Sequence, residues 1–267
     1  VDIQRLEVAA AATSPCLVVQ PPSSVPEALE RPDAAKWQQA IDDELQSCRS
    51  FDTWEAVQLP DGKHALPSRM LFDIKRDGRY KARLVAGGHR QRPGVDFGET
   101  FAPVCSYRSV RIMLAIAAHE GLELRQFDIR TAFLNGWLEE EVYMRPPQGL
   151  EWLARGNGGV LKLKRPLYGL RQAPRAWNKR LEAELSSRGF QQSDADPALW
   201  ILRRISSTVL AMFYVDDGLV AARTGREADA LVELVSTMFE IRVLGEPKDF
   251  LGIEINRDRA AGIITIT

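Results

Sequence analysis

The order of apolar periodicities predicts an α+β fold, an antiparallel sheet with helices packed on one face. Three observations carry it. Strand-like and helix-like segments follow one another irregularly, as strand, helix, strand hairpin, helix, strand. Two short turns, Asp77-Gly78 and Asp216-Asp217-Gly218, each join a pair of apolar runs into a hairpin. Between the strands lie segments whose apolar residues recur at helical spacing, such as Trp37, Ile41, Leu45 and Cys48.

The elements can be justified in turn. Residues 1–25 are rich in Ala, Ser and Pro and read as a disordered linker. Order is expected from Pro26, with Asp33 as the N-cap of a helix through Trp37 and Cys48. Trp54–Val57, Met70–Lys75 and Tyr80–Ala86 read as strands, the last two joined at Asp77-Gly78. Ser109–His119 reads as a helix stopped by Gly121. Leu122–Phe127 alternates like a strand that ends on Asp128, and Thr131–Leu134 turns helical before Asn135-Gly136. Pro166–Gly169 is a loop, and Pro174–Arg188 an amphipathic helix ended by Gly189. Val209–Tyr214 and Leu219–Ala222 form the second hairpin. A helix over Arg226–Phe239 follows, then strands over Ile241–Ile255 and a last apolar run, Ile263–Thr267.

With 267 residues the chain is long enough to bury a substantial core. No apolar run approaches the roughly 20 residues a membrane-spanning helix needs, and no membrane partner is expected. Three scattered cysteines, Cys16, Cys48 and Cys105, lack zinc-site spacing and fit a reducing compartment. The opening Val1 reads as the start of a fragment rather than a secretory signal. Net charge is −1, which excludes a uniformly basic nucleic-acid binder. Charge is unevenly spread, however. Arg155 to Arg180 holds eight Lys or Arg and no Asp or Glu, and basic residues dominate Lys75 to Arg92. Such patches can follow a phosphate backbone, although a basic run by itself is more often a solvated helix face.

The chemistry concentrates at Val209–Ala221, where the second hairpin holds Asp216 and Asp217 at its tip. Two adjacent carboxylates there can bind a divalent metal, although Asp-Asp-Gly is also an ordinary surface turn. Asp128 ends another strand, where it serves either as a third carboxylate or as a cap of the next helix. If the two strands are neighbours, the three aspartates suffice to hold two Mg²⁺ ions for phosphoryl transfer. Phe133 lies five residues beyond Asp128, where a ring either packs in the core or closes the floor under a nucleotide sugar.

A series of short words gives a sharper reading. They are Tyr80-Lys81-Ala82-Arg83-Leu84-Val85-Ala86, Glu99-Thr100-Phe101-Ala102-Pro103-Val104, and Phe127-Asp128-Ile129-Arg130-Thr131-Ala132-Phe133-Leu134-Asn135-Gly136. Further on come Glu141-Val142-Tyr143-Met144, Leu167-Tyr168-Gly169-Leu170-Arg171-Gln172-Ala173-Pro174-Arg175-Ala176-Trp177, Tyr214-Val215-Asp216-Asp217 and Phe250-Leu251-Gly252-Ile253-Glu254-Ile255. In content and order the chain resembles the reverse transcriptase of copia-type retrotransposons, from Pro26 to the C-terminus. One departure is Arg145-Pro146-Pro147-Gln148-Gly149, a rearranged form of the family's Gln-Pro-Pro-Gly.

The resemblance implies a right-hand polymerase: an RNA-directed DNA polymerase adding dNTPs to a primer 3′-hydroxyl on an RNA template. It implies fingers over 26–103 and 136–172 and a palm over 104–135 and 173–255. The start of a thumb or connection, cut short, is expected over 256–267. Asp128, Asp216 and Asp217 become the catalytic metal ligands for two Mg²⁺, with Mn²⁺ able to substitute. Asp128 and Asp216 are expected to be the principal ligands, because neighbours on a strand point to opposite faces. Phe133 falls where the family keeps the aromatic that rejects a ribose 2′-hydroxyl. Lys75, Lys81 and Arg83 are expected over the triphosphate, where a guanidinium fork suits phosphate. Tyr168 and Gly169 are expected to line the nucleotide pocket, and Arg171, Gln172, Arg175 and Lys179 to contact template or primer phosphates. The family context implies association with other polyprotein products, namely integrase, RNase H and capsid. It also implies an intracellular place, cytoplasmic in virus-like particles or nuclear. The competing reading is an inactive or truncated remnant that binds RNA or assembles without chemistry.

Overall fold

The protein is described here by a computed structural model covering residues 20–75, 77–154, 159–203 and 207–267. Most of the expected linker, residues 1–19, lies outside the described residues. Helix α1 (Val25–Glu30) begins where Ser24 accepts the Glu27 amide hydrogen at 3.3 Å. Helix α2 (Ala34–Ser50) buries Trp37, Ala40, Ile41, Leu45 and Cys48 along one face. Asp33 stands at its N-cap position but does not cap it. Its carboxylate accepts instead from Arg31 (3.0 Å) and the Tyr80 hydroxyl (3.0 Å), tying the helix start to a distant strand.

Next come β1 (Trp54–Gln58), β2 (Ala65–Leu66), β3 (Ser68–Ile74) and β4 (Tyr80–Ala86). A 3₁₀ turn follows at Gly88–Arg90, then α3 (Tyr107–His119). Helix α3 starts two residues earlier than its periodicity predicts, because Ser106 caps it by accepting from the Ser109 amide. After β5 (Glu123–Ile129) a 3₁₀ turn covers Ala132–Asn135. Two strands with no strong sequence signal follow, β6 (Val142–Met144) and β7 (Gly159–Leu163), with a 3₁₀ turn at Glu151–Ala154 between them. The remainder is α4 (Ala173–Ser187), β8 (Gln191–Gln192), β9 (Leu199–Arg203), β10 (Thr208–Tyr214), β11 (Asp217–Ala222) and α5 (Gly225–Ser236). Helix α5 opens with a reciprocal capping box between Thr224 and Glu227. Strands β12 (Ile241–Gly245), β13 (Asp249–Phe250), β14 (Ile253–Asp258) and β15 (Ile263–Ile266) complete the chain.

The central sheet runs β12-β5-β11-β10-β9-β8, antiparallel throughout. Alternation sends Phe127, Ile129, Val209, Ala211, Phe213 and Val220 to one face, against α4 and α5. It sends Leu124, Met212, Leu219 and Ala221 to the other. The expectation of helices on one face fails here. The second face is covered by α3, through Val110, Met113, Leu114 and Ala117, and by Phe250, Ile253 and Ile255 from the small sheet β13-β14-β15. A bare face of Leu and Met would leave a large apolar surface in water, which accounts for the second layer. The stretch expected to open a thumb, 256–267, pairs into that small sheet, and Ile264 and Ile266 pack onto the same core.

A separate core joins α1 and α2 to the hairpin β3-β4 and to the sheet β1-β7-β6-β2, in which β2 and β6 pair in parallel. It draws on Val25–Ala86 and again on Leu134–Ala173, so the chain passes through it twice. Phe133 packs against this core and against the α4–α5 core, at their junction. Among the described residues, no helix is long and apolar enough to cross a membrane.

Candidate active site

Strands β5 and β11 are neighbours, and Asp217 stands directly across from Asp128 in their register. Asp216 is not in a strand. The β10–β11 ladder closes on Tyr214↔Asp217, so Val215 and Asp216 are the two turn residues. The expected turn at Asp216-Asp217-Gly218 is therefore displaced, and Asp217 and Gly218 begin β11. Gly218 is needed for space rather than for a turn. A Cβ there would sit 2.2 Å from the Phe127 ring, which packs edge-on to Phe213. The positive φ falls on Val215, at 55°. A β-branched residue is an outlier in that region and persists only where its surroundings hold it. Two hydrogen bonds do so. Trp177 Nε1 on α4 donates to the Val215 carbonyl at 2.7 Å, and the Ile129 amide donates to the Asp216 carbonyl at 2.7 Å.

The three half-buried aspartates repel one another. Burial, then Asp216, Asp128 and Asp249, push the Asp217 carboxyl up to about 6. Burial and the Asp128 charge also raise Asp216, partly offset by Arg83 and Lys75. Among the described residues, no set of three or more acidic, His or Cys side chains is gathered closely enough to hold an ion unaided. The donor chemistry nonetheless fits a hard divalent cation. Mg²⁺ characteristically uses one or two carboxylates and takes its remaining oxygens from water and substrate phosphate. Uncompensated carboxylates are what such an ion would relieve.

The residues expected on the nucleotide side split into two groups. Arg83 lies over the Tyr168 ring (5.4 Å), and Tyr168 meets Phe133 edge-on at 4.9 Å. The charge of Asp216 reaches Tyr168 and helps raise its hydroxyl. Arg83, Tyr168 and Phe133 thus form one wall, on which the Asp216 charge acts. Gly169, at φ 89°, lets the loop press against β4, since a Cβ would meet the Ala86 carbonyl at 2.2 Å. Lys75 and Lys81 are engaged elsewhere. Lys75 pairs with Asp73 (2.9 Å), and Lys81 turns to Glu44 (3.9 Å).

The basic run behaves differently from its sequence. Gln172 is buried. Its amide donates to the Asp96 carbonyl (2.9 Å) and its Oε1 accepts from Gln91 (2.8 Å), which corrects its expected place against template. Arg171 Nε donates to the Gly88 carbonyl and its guanidinium lies over Phe97. Arg175 pairs with Glu99 (2.5 Å) and Lys179 with Glu139 (2.7 Å). These pairs line a cleft of about 240 Å³ that also takes in Trp137 and Glu140. The acids absent from the run in sequence are supplied by loops that fold onto α4.

Residues 51–267 match a family model described as reverse transcriptase (RNA-dependent DNA polymerase). The chain belongs to this reverse transcriptase family. Its relatives place it in the copia-type branch. It is 36% identical over 249 residues to the Retrovirus-related Pol polyprotein from transposon TNT 1-94 of Nicotiana tabacum, covering 90% of this chain and 18% of that protein. It is 39% identical over 228 residues to the corresponding polyprotein from transposon RE1 of Arabidopsis thaliana, covering 83% and 16%. The Ty1-DR4 Gag-Pol polyprotein of Saccharomyces cerevisiae is 29% identical over 238 residues, covering 84% and 14%. The chain thus spans less than a fifth of the length of these relatives. Among solved structures, a Prototype Foamy Virus protease–reverse transcriptase aligns with a TM-score of 0.46 and 15% identity, over 84% of this chain and 26% of that one.

In this reverse transcriptase region, two contributors to the site carry no chemical signal of their own in sequence. Trp177 ends the Leu167–Trp177 word, but its hydrogen bond to the Asp216 turn depends on how α4 packs. Asp249 reaches the Asp217 field only because β13 folds back over the sheet. Neither distance can be read from spacing along the chain.

Proposed function

We propose that this reverse transcriptase region is an RNA-directed DNA polymerase that joins a dNTP to a primer 3′-hydroxyl and releases pyrophosphate. The observation that carries the reading is the facing of Asp217 and Asp128 across the β5–β11 ladder, with Asp216 in the adjoining turn. Asp128 and Asp216 are the principal ligands in this reading, and Asp217 is a lesser one. Two Mg²⁺ ions supply the chemistry when bound: activation of the attacking hydroxyl and neutralisation of the triphosphate and leaving group. The chain's own residues do the rest. Arg83 offers its guanidinium to the triphosphate from the wall it shares with Tyr168. Lys75 adds positive charge near Asp216 and exchanges Asp73 for phosphate when substrate enters. Phe133, braced edge-on by Tyr168, stands against C2′ of the sugar and leaves no room for a 2′-oxygen.

In the right-hand description, the α1–α2 core with β3-β4 corresponds to fingers and the six-stranded sheet to the palm. RNA template, primer and dNTPs are the proposed partners. Template is read by base pairing, so the protein contributes mainly backbone contacts and duplex shape. The test is incorporation of dTMP on poly(rA)·oligo(dT) with Mg²⁺ or Mn²⁺. Incorporation that needs template and metal is expected, and its absence in the wild-type chain overturns the reading. Phe133→Ala should raise the rNTP-to-dNTP incorporation ratio, and an unchanged ratio removes Phe133 from sugar selection.

A further inference from the structure

Glu44 is the one polar residue on the buried face of α2, among Trp37, Ala40, Ile41, Leu45 and Cys48. It is 6% exposed. A buried carboxylate is costly unless it is hydrogen-bonded and faces positive charge. Glu44 has both. Its Oε1 accepts the Leu84 amide hydrogen at 3.0 Å, and its Oε2 lies 3.9 Å from Lys81 Nζ. The Arg83 charge also acts on it.

The position on β4 is the informative part. Among the named strands β4 pairs with β3 alone, and its other edge carries a single bridge, Val85 to Tyr168. In an antiparallel ladder, alternate amides point away from the partner strand. On β4, Leu84 and Ala86 point outward. The Leu84 amide meets Glu44, and the Ala86 amide meets the Tyr168 carbonyl at 2.9 Å. These two hydrogen bonds tether the outer edge of the hairpin to the body of the protein. Arg83 immediately precedes the first of them on β4, with its guanidinium over Tyr168. The Tyr168 tether belongs to the nucleotide wall itself, whereas the Glu44 tether comes from helix α2.

We propose that Glu44 is a positioning residue for nucleotide binding: its carboxylate hooks the outer edge of β4 to α2 and so holds Arg83 in register with the site. This rests on the reading of Arg83 as a triphosphate contact. Glu44 touches no substrate. Its effect is to fix the height of β4 against Tyr168, and with it the place from which Arg83 reaches. A Gln keeps the acceptor for Leu84. A Leu removes it and leaves a buried amide unpaired.

The experiment compares wild type, E44Q, E44L, R83A and the E44L/R83A double variant in dTTP-dependent extension of poly(rA)·oligo(dT). Loss of the hook should raise the dTTP KM of E44L about tenfold with kcat within about threefold. E44Q should recover most of that loss. In the double variant E44L should add little to R83A, because both act through one guanidinium. If E44L fails to fold by circular dichroism, E44D takes its place: it keeps the charge but withdraws the acceptor, and KM should rise in the same direction. An unchanged KM in E44L or E44D, or full additivity with R83A, overturns the proposal. If wild type extends primer and E44L matches it, only the Glu44 inference falls. If wild type does not extend primer, the polymerase reading falls, and Glu44 is judged by calorimetric binding of dTTP with Ca²⁺. Weaker binding by E44L than by wild type supports the hook; equal binding, or none by wild type, overturns it.

Discussion

At the β5–β11 end of the central sheet, Asp128, Asp216 and Asp217 act on one another's charge, and Arg83 and Lys75 compensate only part of it. Along α4 the opposite holds. Arg175, Lys179 and Arg180 lie against Glu99, Glu139 and Glu184 at 2.5, 2.7 and 2.6 Å. In sequence both regions present a run of like charge. In the fold one run is neutralised by its own protein and the other is left to repel. A ligand is required only where the fold leaves charge unpaired. A charge already paired gains little from a phosphate, because the phosphate must displace a carboxylate. A cluster of unrelieved carboxylates gains a great deal from a cation.

The largest effect should come from removing one carboxylate. Asp216→Asn should reduce primer extension to background while leaving the circular dichroism spectrum unchanged. Extension at the wild-type rate would break the comparison at its centre. Asp217→Asn tests the repulsion directly. Its carboxyl titrates near 6 in the folded chain, above the ordinary 3.8. Between those values the folded state holds a proton that the unfolded state lacks. Stability therefore falls as pH rises through that window, and the penalty stands in full above about pH 6. The metal-free variant should accordingly melt a few degrees higher than wild type at pH 7.5 and lose most of that advantage at pH 4. A variant that melts lower than wild type at pH 7.5 would show that the carboxylates are not in conflict.

A smaller effect is expected from the brace behind the turn. Trp177→Phe removes the donor to the Val215 carbonyl, at a cost of about 1 kcal/mol, and retains a ring against Phe239. Single-turnover extension should slow several-fold with little change in dNTP affinity, and an unchanged rate would mean that the turn holds itself. The smallest effect belongs to α4. A free phosphate contact changes the log–log salt dependence of template binding by about one when it is removed. Lys179→Ala should change it by much less, and Glu139→Gln should steepen it by releasing Lys179. A full unit lost in Lys179→Ala would show that template displaces Glu139 and that the pairing is only a resting state.

Residues that act through near neighbours were legible in the sequence. The helix carrying Trp37, Ile41, Leu45 and Cys48, the hairpin turning at Asp77-Gly78, and the strand that carries Asp128 form as their periodicities require, the strand running one residue further, to Ile129. The turn at the second hairpin was misplaced by one residue, because Asp-Gly is the stronger turn signal locally. The Phe127 ring on Gly218 and the Trp177 hydrogen bond to Val215 outweigh it, and both come from distant segments. Strands β6 and β7 were missed because they are short and fully set by pairing with β1 and β2.

Which carboxylates exist, in what order and on which strands therefore follows from local patterns, since periods of two and of 3.6 residues are read along the chain. Which charges stay unpaired follows from the packing. That Gln172 is consumed in the core, that Glu99 and Glu139 neutralise α4, and that Glu44 holds β4 depends on contacts between residues 32 to 81 positions apart. Coulomb interaction and desolvation depend on distance through space, and distance along the chain does not encode it.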